Sequence, residues 1–222
     1  MRAIRKAPEP RTVMTTRVAH TTNLNSVATA RAAFEQIDKA TVREQLDEEQ
    51  AGLCAFCMRR IRHDDVDDRG AFVMKVAHRT PIAVNSQLAV SWTNMLGSCD
   101  GGQRSNGRYW TCDAAQGSTA LTVDPTVAGS VARLRLERRG ARTGLFITSD
   151  NPDLRTDVEQ TLALNDGDLP ELRHQTWRAF QEVHRRRHPT DYGKPAWRAF
   201  LPTWIGGRRA PPMAGVVEER LR

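Results

Sequence analysis

The chain has 222 residues, 39% of them hydrophobic and 27% charged, with a net charge of +7. That is long enough for one sizeable core or two small ones, and too apolar for a disordered chain. It holds no run of about 18 apolar residues, and no apolar stretch follows the basic opening Met1-Arg2-Ala3-Ile4-Arg5-Lys6, so the sequence points to a cytoplasmic protein with no membrane partner.

The excess of base over acid suits a polyanionic partner such as nucleic acid. All the basic residues but Lys6, Lys39, Lys75 and Lys194 are arginine, a bias that a GC-rich genome also produces. Position says more. Between Arg173 and Arg209 the only acids are Glu182 and Asp191, and the basic surplus of that stretch matches the charge of the whole chain.

In chain order, residues 1–24 read as extended, with Pro8 and Pro10 opposing helix. Ser26 caps a helix with Val27, Ala30, Phe34 and Ile37 on one face. A second helix runs from Thr41 to about Ala51, with Val42 and Leu46 inward. Residues 1–52 thus form a tail and helical lead-in. Residues 53–127 are irregular and rich in Gly, Asp, Asn and Ser, with one apolar strand-like run, Ala71-Phe72-Val73-Met74. Such a stretch buries little apolar area, and a metal would supply the missing cohesion, roughly 10–16 kcal/mol for structural zinc in small peptides. Residues 128–222 begin with a hairpin. Ala132, Leu134 and Leu136 alternate with polar residues, Arg139-Gly140-Ala141-Arg142 turns, and Leu145-Phe146-Ile147 returns. Asn151-Pro152 opens a helix with Leu154, Val158 and Leu162 on one stripe, and another covers about Pro170–Arg187.

The chain has four cysteines. Cys54 and Cys57 form a C-x-x-C knuckle, while Cys99 and Cys112 flank a glycine-rich insertion containing Asp100-Gly101-Gly102 and Ser105-Asn106-Gly107. In a reducing compartment such thiols read as metal ligands before disulfides, and four of them suit a structural Zn²⁺. Independent buried thiols are the plainer alternative. Between the two pairs lie His78 and Asn94, and Asp113 follows Cys112 directly. A histidine takes a proton at neutral pH, an asparagine braces a loop or offers an oxygen to a metal, and a carboxylate suits a hard cation such as Mg²⁺.

Other residues carry two readings. The run His63-Asp64-Asp65-x-Asp67-Asp68 is a cation site or a solvated loop, and the latter is favoured because nothing fixes its geometry. His174, His184 and His188 fit a surface face better than a second metal site. Trp177, Phe180, Trp197, Phe200 and Trp204 pack, or stack on bases. Arg185-Arg186-Arg187 contact phosphate as a nucleic-acid-binding cluster, or place cations at a helix C-terminus.

Gln50-Ala51-Gly52-Leu53-Cys54-Ala55-Phe56-Cys57-Met58, His78-x-x-Pro81, Trp92-x-Asn94-Met95-Leu96-Gly97-x-Cys99-Asp100-Gly101-Gly102, Cys112-Asp113 and Gln116-Gly117 together resemble an HNH endonuclease. The likeness is greatest to the PtuB-type nucleases of Septu antiphage systems and of related retron-associated systems. Met1-Arg2-x-Ile4-x-Lys6 and Leu162-x-Leu164-Asn165 with Arg173 are similar to that family too. The resemblance implies an α+β fold: a zinc-stapled ββα-metal core, with N-terminal helices and a C-terminal helical region. It implies His78 as general base, Asn94 as the middle residue of the triad, and Asp113 as ligand of a catalytic Mg²⁺ or Mn²⁺. It implies DNA as substrate and a PtuA-like ATPase as partner in phage defence. Three departures stand out. Ala77 replaces the acidic residue that usually precedes the histidine, Arg79 follows it where a hydrophobic residue is commoner, and Gln116 replaces a common lysine. The alternative is therefore a zinc-stabilised binding subunit that keeps the fold without the chemistry. A thiol redox protein is a third reading.

Overall fold

A computed structural model describes residues 1–67, 70–102, 109–140, 143–206 and 209–222. Helices α1 (Arg11–Ala19), α2 (Val27–Glu35) and α3 (Lys39–Glu49) open the chain. Residues 11–19 are thus helical, not extended. Pro10 is the N-cap at φ −61°, ψ 143°, where its missing N–H costs no intrahelical bond. The opening segment is also pinned. Met1 and Ile4 are buried, and the Ile4 N–H donates to Pro125 O at 2.8 Å.

Ser26 caps α2 with a capping box, as its sequence implies. The buried stripe is Ala30 and Ala33, continued by Ile37, whereas Val27 at the first position is exposed. Asp38 caps α3 from the amides of Ala40 and Thr41, so this helix starts two residues before Thr41. Val42 and Leu46 face inward as expected, both fully buried.

The next segment is short of regular structure. Strands β1 (Lys75–His78) and β2 (Met95–Ser98) form a two-stranded antiparallel sheet, with His78 opposite Met95 and Val76 opposite Gly97. The run Ala71–Met74 is not the strand. Phe72 only bridges to Val66, and pairing begins at Lys75. Helix α4 (Cys112–Gln116) reaches this hairpin through Gln116, whose Nε2 donates to His78 O.

Helix α5 (Ala128–Ala132) takes Ala132, so the second hairpin is β3 (Leu134–Glu137) against β4 (Phe146–Ser149). Of its expected turn, Ala141 and Arg142 lie outside the described residues. Helix α6 (Pro152–Thr156) runs into a π-helical turn, Asp157–Thr161, and Leu154, Val158 and Leu162 are all buried. Helix α7 (Leu169–Arg187) is followed by α8 (Lys194–Ile205) and α9 (Ala214–Arg220). Trp177, Phe180, Trp197, Phe200 and Trp204 pack on one another with ring centroids 5.4–5.7 Å apart, which settles them as core. The fold is therefore a mixed α+β one, with two small sheets among helices. Among the described residues no helix is long and apolar enough to cross a membrane.

Candidate metal centre and active site

All four cysteines converge. The Sγ atoms of Cys54, Cys57, Cys99 and Cys112 lie within 4.8 Å of one another and are buried. Neighbouring pairs stand at 3.7 Å (Cys57–Cys99 and Cys99–Cys112) and 3.9 Å (Cys54–Cys112). Four thiolates on tetrahedral zinc with bonds of about 2.3 Å would stand about 3.8 Å apart, so the cluster can hold a metal ion such as zinc. The Cys112 thiol is held well above its usual pKa by its contacts with Cys54, Cys57 and Cys99 and then by burial. A divalent cation is what allows four such groups to be thiolates together.

Local chain geometry explains the convergence. The knuckle closes on itself, with Cys54 N–H donating to Arg59 O and Met58 N–H to Cys54 O. Ala55 N–H donates to Gly97 O at 3.0 Å, which ties the knuckle to β2 just before Cys99. Thr111 N–H donates to Gly101 O at 2.8 Å and closes the base of the insertion, returning Cys112 to the cluster. Residues 103–108 of that insertion, including Ser105-Asn106-Gly107, lie outside the described residues.

The structure brings His78 and Asn94 together at one end of the first hairpin. His78 is half-buried, with its ring edge-on to Phe34 at 4.7 Å. Its Nε2 lies 2.9 Å from Ala89 O. A carbonyl only accepts, so Nε2 carries the proton and Nδ1 keeps its lone pair in the neutral ring. Burial holds the His78 pKa below the usual 6.5, and the Lys39 charge adds to this against the Ala89 bond. The imidazole is thus neutral at pH 7.

Asn94 is buried and fully used as a brace. Its Oδ1 accepts from Thr80 N–H at 2.8 Å, and its Nδ2 donates to Thr80 O at 2.9 Å and to Leu88 O at 3.2 Å. Asn94 O also accepts from Arg79 N–H at 3.0 Å. Of the two roles open to this asparagine, the geometry is that of the brace.

Asp113 opens α4, half-buried, its carboxylate making no hydrogen bond among the described residues. Burial raises its pKa to about 6, the Cys54 charge adds to this, and Lys75 draws it back. Side chains alternate along β1, so Lys75 shares the Ala77 face and His78 lies on the other. Asp113 feels the Lys75 charge, which places it toward the face of β1 away from His78, and among the described residues no contact joins it to His78 or Asn94. Ala77 itself is buried at 1% exposure. Mg²⁺ commonly takes one or two carboxylates and completes its shell with waters and phosphates. Asp113 is the single carboxylate available here from the expected residues.

Two glutamines escape single-residue reasoning. Gln50 Nε2 donates to Leu53 O and Gly97 O, both at 2.8 Å, and its Oε1 accepts from Gly97 N–H at 2.7 Å. Its signal is positional: Val42, Leu46 and Gln50 fall on one helical stripe, so a polar residue occupies a buried place. Gln116 Nε2 bonds His78 O at 3.2 Å, Arg79 O at 2.9 Å and Thr119 O at 3.0 Å, while its Oε1 is buried without a partner. This residue holds the backbone of His78 from the α4 side.

Elsewhere the acidic loop is surface-paired: Arg62 bridges Asp64 at 3.0 Å and Asp65 at 3.5 Å, and His63 Nδ1 meets Asp47 at 2.7 Å. Asp68 lies outside the described residues. Among the described residues the only group of three or more candidate metal-binding side chains is the cysteine cluster, so His174, His184 and His188 form no second one; nor do they form a surface face, because His184 is buried, its ring 5.3 Å from that of Phe200. Arg185, Arg186 and Arg187 are exposed at the end of α7. Arg185 and Arg186 both pair with Glu182, and Arg187 lies over Phe200 at 5.7 Å.

No protein-family model matches the chain, and no curated protein matches it.

Proposed function

We propose that this protein is a metal-dependent HNH endonuclease that hydrolyses DNA phosphodiester bonds, as effector of an antiphage system gated by a PtuA-like ATPase. The observation that carries the reading is the His78 tautomer. Its Nε2–H is spent on Ala89 O, so Nδ1 is the free base, on a hairpin end braced by Asn94. The partner and the defence role rest on the resemblance of the motifs. Structural zinc in the four-cysteine cluster belongs to the same reading.

In this mechanism a neutral His78 accepts a proton from water at Nδ1 as the water attacks phosphorus. Asn94 keeps the loop after the histidine from moving. Gln116 fixes the His78 carbonyl, and the Ala89 carbonyl and the Phe34 ring hold the imidazole itself. Asp113 is the expected carboxylate ligand of a divalent cation, which would supply charge stabilisation at the phosphate and the leaving oxygen, and its place toward the other face of β1 from His78 counts with Ala77 for the second reading. Arg185, Arg186 and Arg187 contribute charge to the DNA backbone without sequence preference.

Ala77 favours a second reading, a zinc-stabilised DNA- or partner-binding subunit without chemistry, because a buried methyl stands where a carboxylate is expected. Plasmid nicking with Mg²⁺ or Mn²⁺, with and without the genomic neighbour, separates the two. Nicking that disappears in His78→Ala supports the nuclease. A folded, zinc-loaded protein that shifts DNA on a gel yet never nicks it supports the binding subunit. Nicking unaffected by His78→Ala overturns the mechanism.

A further inference from the structure

Arg173 is the largest fully buried side chain among the described residues, at 1% exposure. It lies in the first half of α7, away from the exposed arginines at that helix's end. A guanidinium stays charged in proteins, and a buried charge without a counter-charge is strongly unfavourable. Yet among the described residues no carboxylate pairs with it. Its donors go to neutral oxygens instead: Leu145 O at 3.2 Å, Asn165 Oδ1 at 3.4 Å and Leu164 O. Its Nε has no partner.

The missing negative charge is close by. The same turn that accepts from Arg173 also holds a metal-binding cysteine, because Cys112 N–H donates to Leu162 O at 2.9 Å. Ala163 lies between, at φ +47°, and this left-handed residue turns the chain sharply so that Leu162 and Leu164 serve different partners. Burial lowers the Arg173 pKa to about 10, and the sulfurs of Cys57 and Cys112 are the groups whose charge would act against that burial. The neighbouring cation, Arg59, is spent on Asp168 at the surface. Four thiolates with one divalent cation carry a net charge of two minus, the counter-charge that a buried guanidinium needs.

We propose that Arg173 is the buried counter-cation of the metal–thiolate cluster, a positioning residue that joins α7 and the 162–165 turn to the metal centre. The inference rests on the metal reading above and deepens it. It also gives Leu162-x-Leu164-Asn165 and Arg173 a common role, because the turn presents carbonyls to both the cysteine backbone and the guanidinium. Arginine suits this better than lysine, since its planar fork reaches three acceptors at once.

The test uses the full chain as wild type, Arg173→Met, Arg173→Lys and Cys99→Ser. Metal content is measured by elemental analysis and zinc affinity by competition with a chromophoric chelator. Cobalt loading is followed through its thiolate charge-transfer band. Loss of a residue that supports metal ligands typically weakens binding about 10- to 100-fold, which is the expectation for Arg173→Met, with Arg173→Lys recovering most of it. Wild-type affinity in Arg173→Met overturns the proposal, whatever its thermal stability. So does a lysine variant as weak as the methionine one, because the charge would then not be what matters. If Arg173→Met fails to fold, the lysine variant decides alone: affinity near wild type supports the counter-cation, and a loss of about 100-fold or more overturns it. A wild type that binds neither zinc nor cobalt overturns the metal reading itself, a result distinct from a metal-loaded wild type matched by Arg173→Met.

Discussion

Truncating Asn94 to alanine tests whether the end of the first hairpin is held by one side chain. The amide makes three hydrogen bonds at 2.8, 2.9 and 3.2 Å and is 3% exposed. Leu88 O keeps a second partner after truncation, because Ser91 N–H also donates to it at 3.2 Å. Thr80 N–H and Thr80 O lose the partners they have. Each buried group so orphaned costs about 1–3 kcal/mol, and Thr80 is half-buried, so water recovers part of this. The expected loss is therefore about 2–4 kcal/mol, read as a lower urea midpoint in the metal-loaded protein at unchanged slope. Asn94→Asp is the informative companion. It keeps an acceptor for Thr80 N–H but turns its second oxygen toward the carbonyls of Thr80 and Leu88. Its loss should match or exceed that of alanine. A loss below about 0.5 kcal/mol in Asn94→Ala would refute the brace, since surface changes of no structural consequence fall in that range.

Three further outcomes follow from the same geometry. Gly97→Ala places a methyl 2.4 Å from Met74 Cε and 3.0 Å from Gln50 Nε2, so it should destabilise by about 1–3 kcal/mol in a urea titration. Stripping the metal with a chelator should lower Tm by about 10 °C or more, since each kcal/mol is worth about 2–4 °C in a chain of this size; calorimetry that finds no change would remove zinc from the structural account. The His78 pKa is depressed on folding, so its contribution is fully present above the unfolded value of 6.5 and is lost as pH falls from there through the folded value. Wild type should accordingly lose more stability than His78→Gln between pH 7 and pH 5, and any nuclease activity should still be near its plateau at pH 7.

Much of this is legible in the sequence, for identifiable reasons. Cysteines are few and chemically distinct, so spacing alone pairs the knuckle with Cys99 and Cys112. Amphipathic stripes give the apolar buried residues, such as Val42 and Leu46 in α3, but not the buried polar ones, Arg43 and Asp47 in α3 and Arg173 and His184 in α7. Short elements do not announce themselves. Lys75–His78 is a four-residue strand that carries a lysine and a histidine, whereas the more apolar Ala71–Met74 beside it only bridges. Pro10 opposes a helix that would run through it, yet a proline at the cap starts α1. The amide contacts are illegible because their partners are backbone groups far away in sequence, such as Gly97 for Gln50 and His78 for Gln116. No residue type marks such partners.

Those amides explain how so small a sheet can hold the His78 side chain in place. A two-stranded hairpin is at best marginally stable by itself in water. Here β1 and β2 have four residues each, and both ends are held from outside. At the His78 end Asn94 and Gln116 fix the backbone. At the other end Gly97 exchanges hydrogen bonds with Gln50, and its carbonyl also accepts from Ala55 inside the cysteine knuckle. The knuckle is ordered only if its thiols are gathered on a metal or tightly packed. The chain of contacts from Cys54 through Ala55 and Gly97 to the strand opposite Val76 therefore couples the position of His78 to the cysteine cluster.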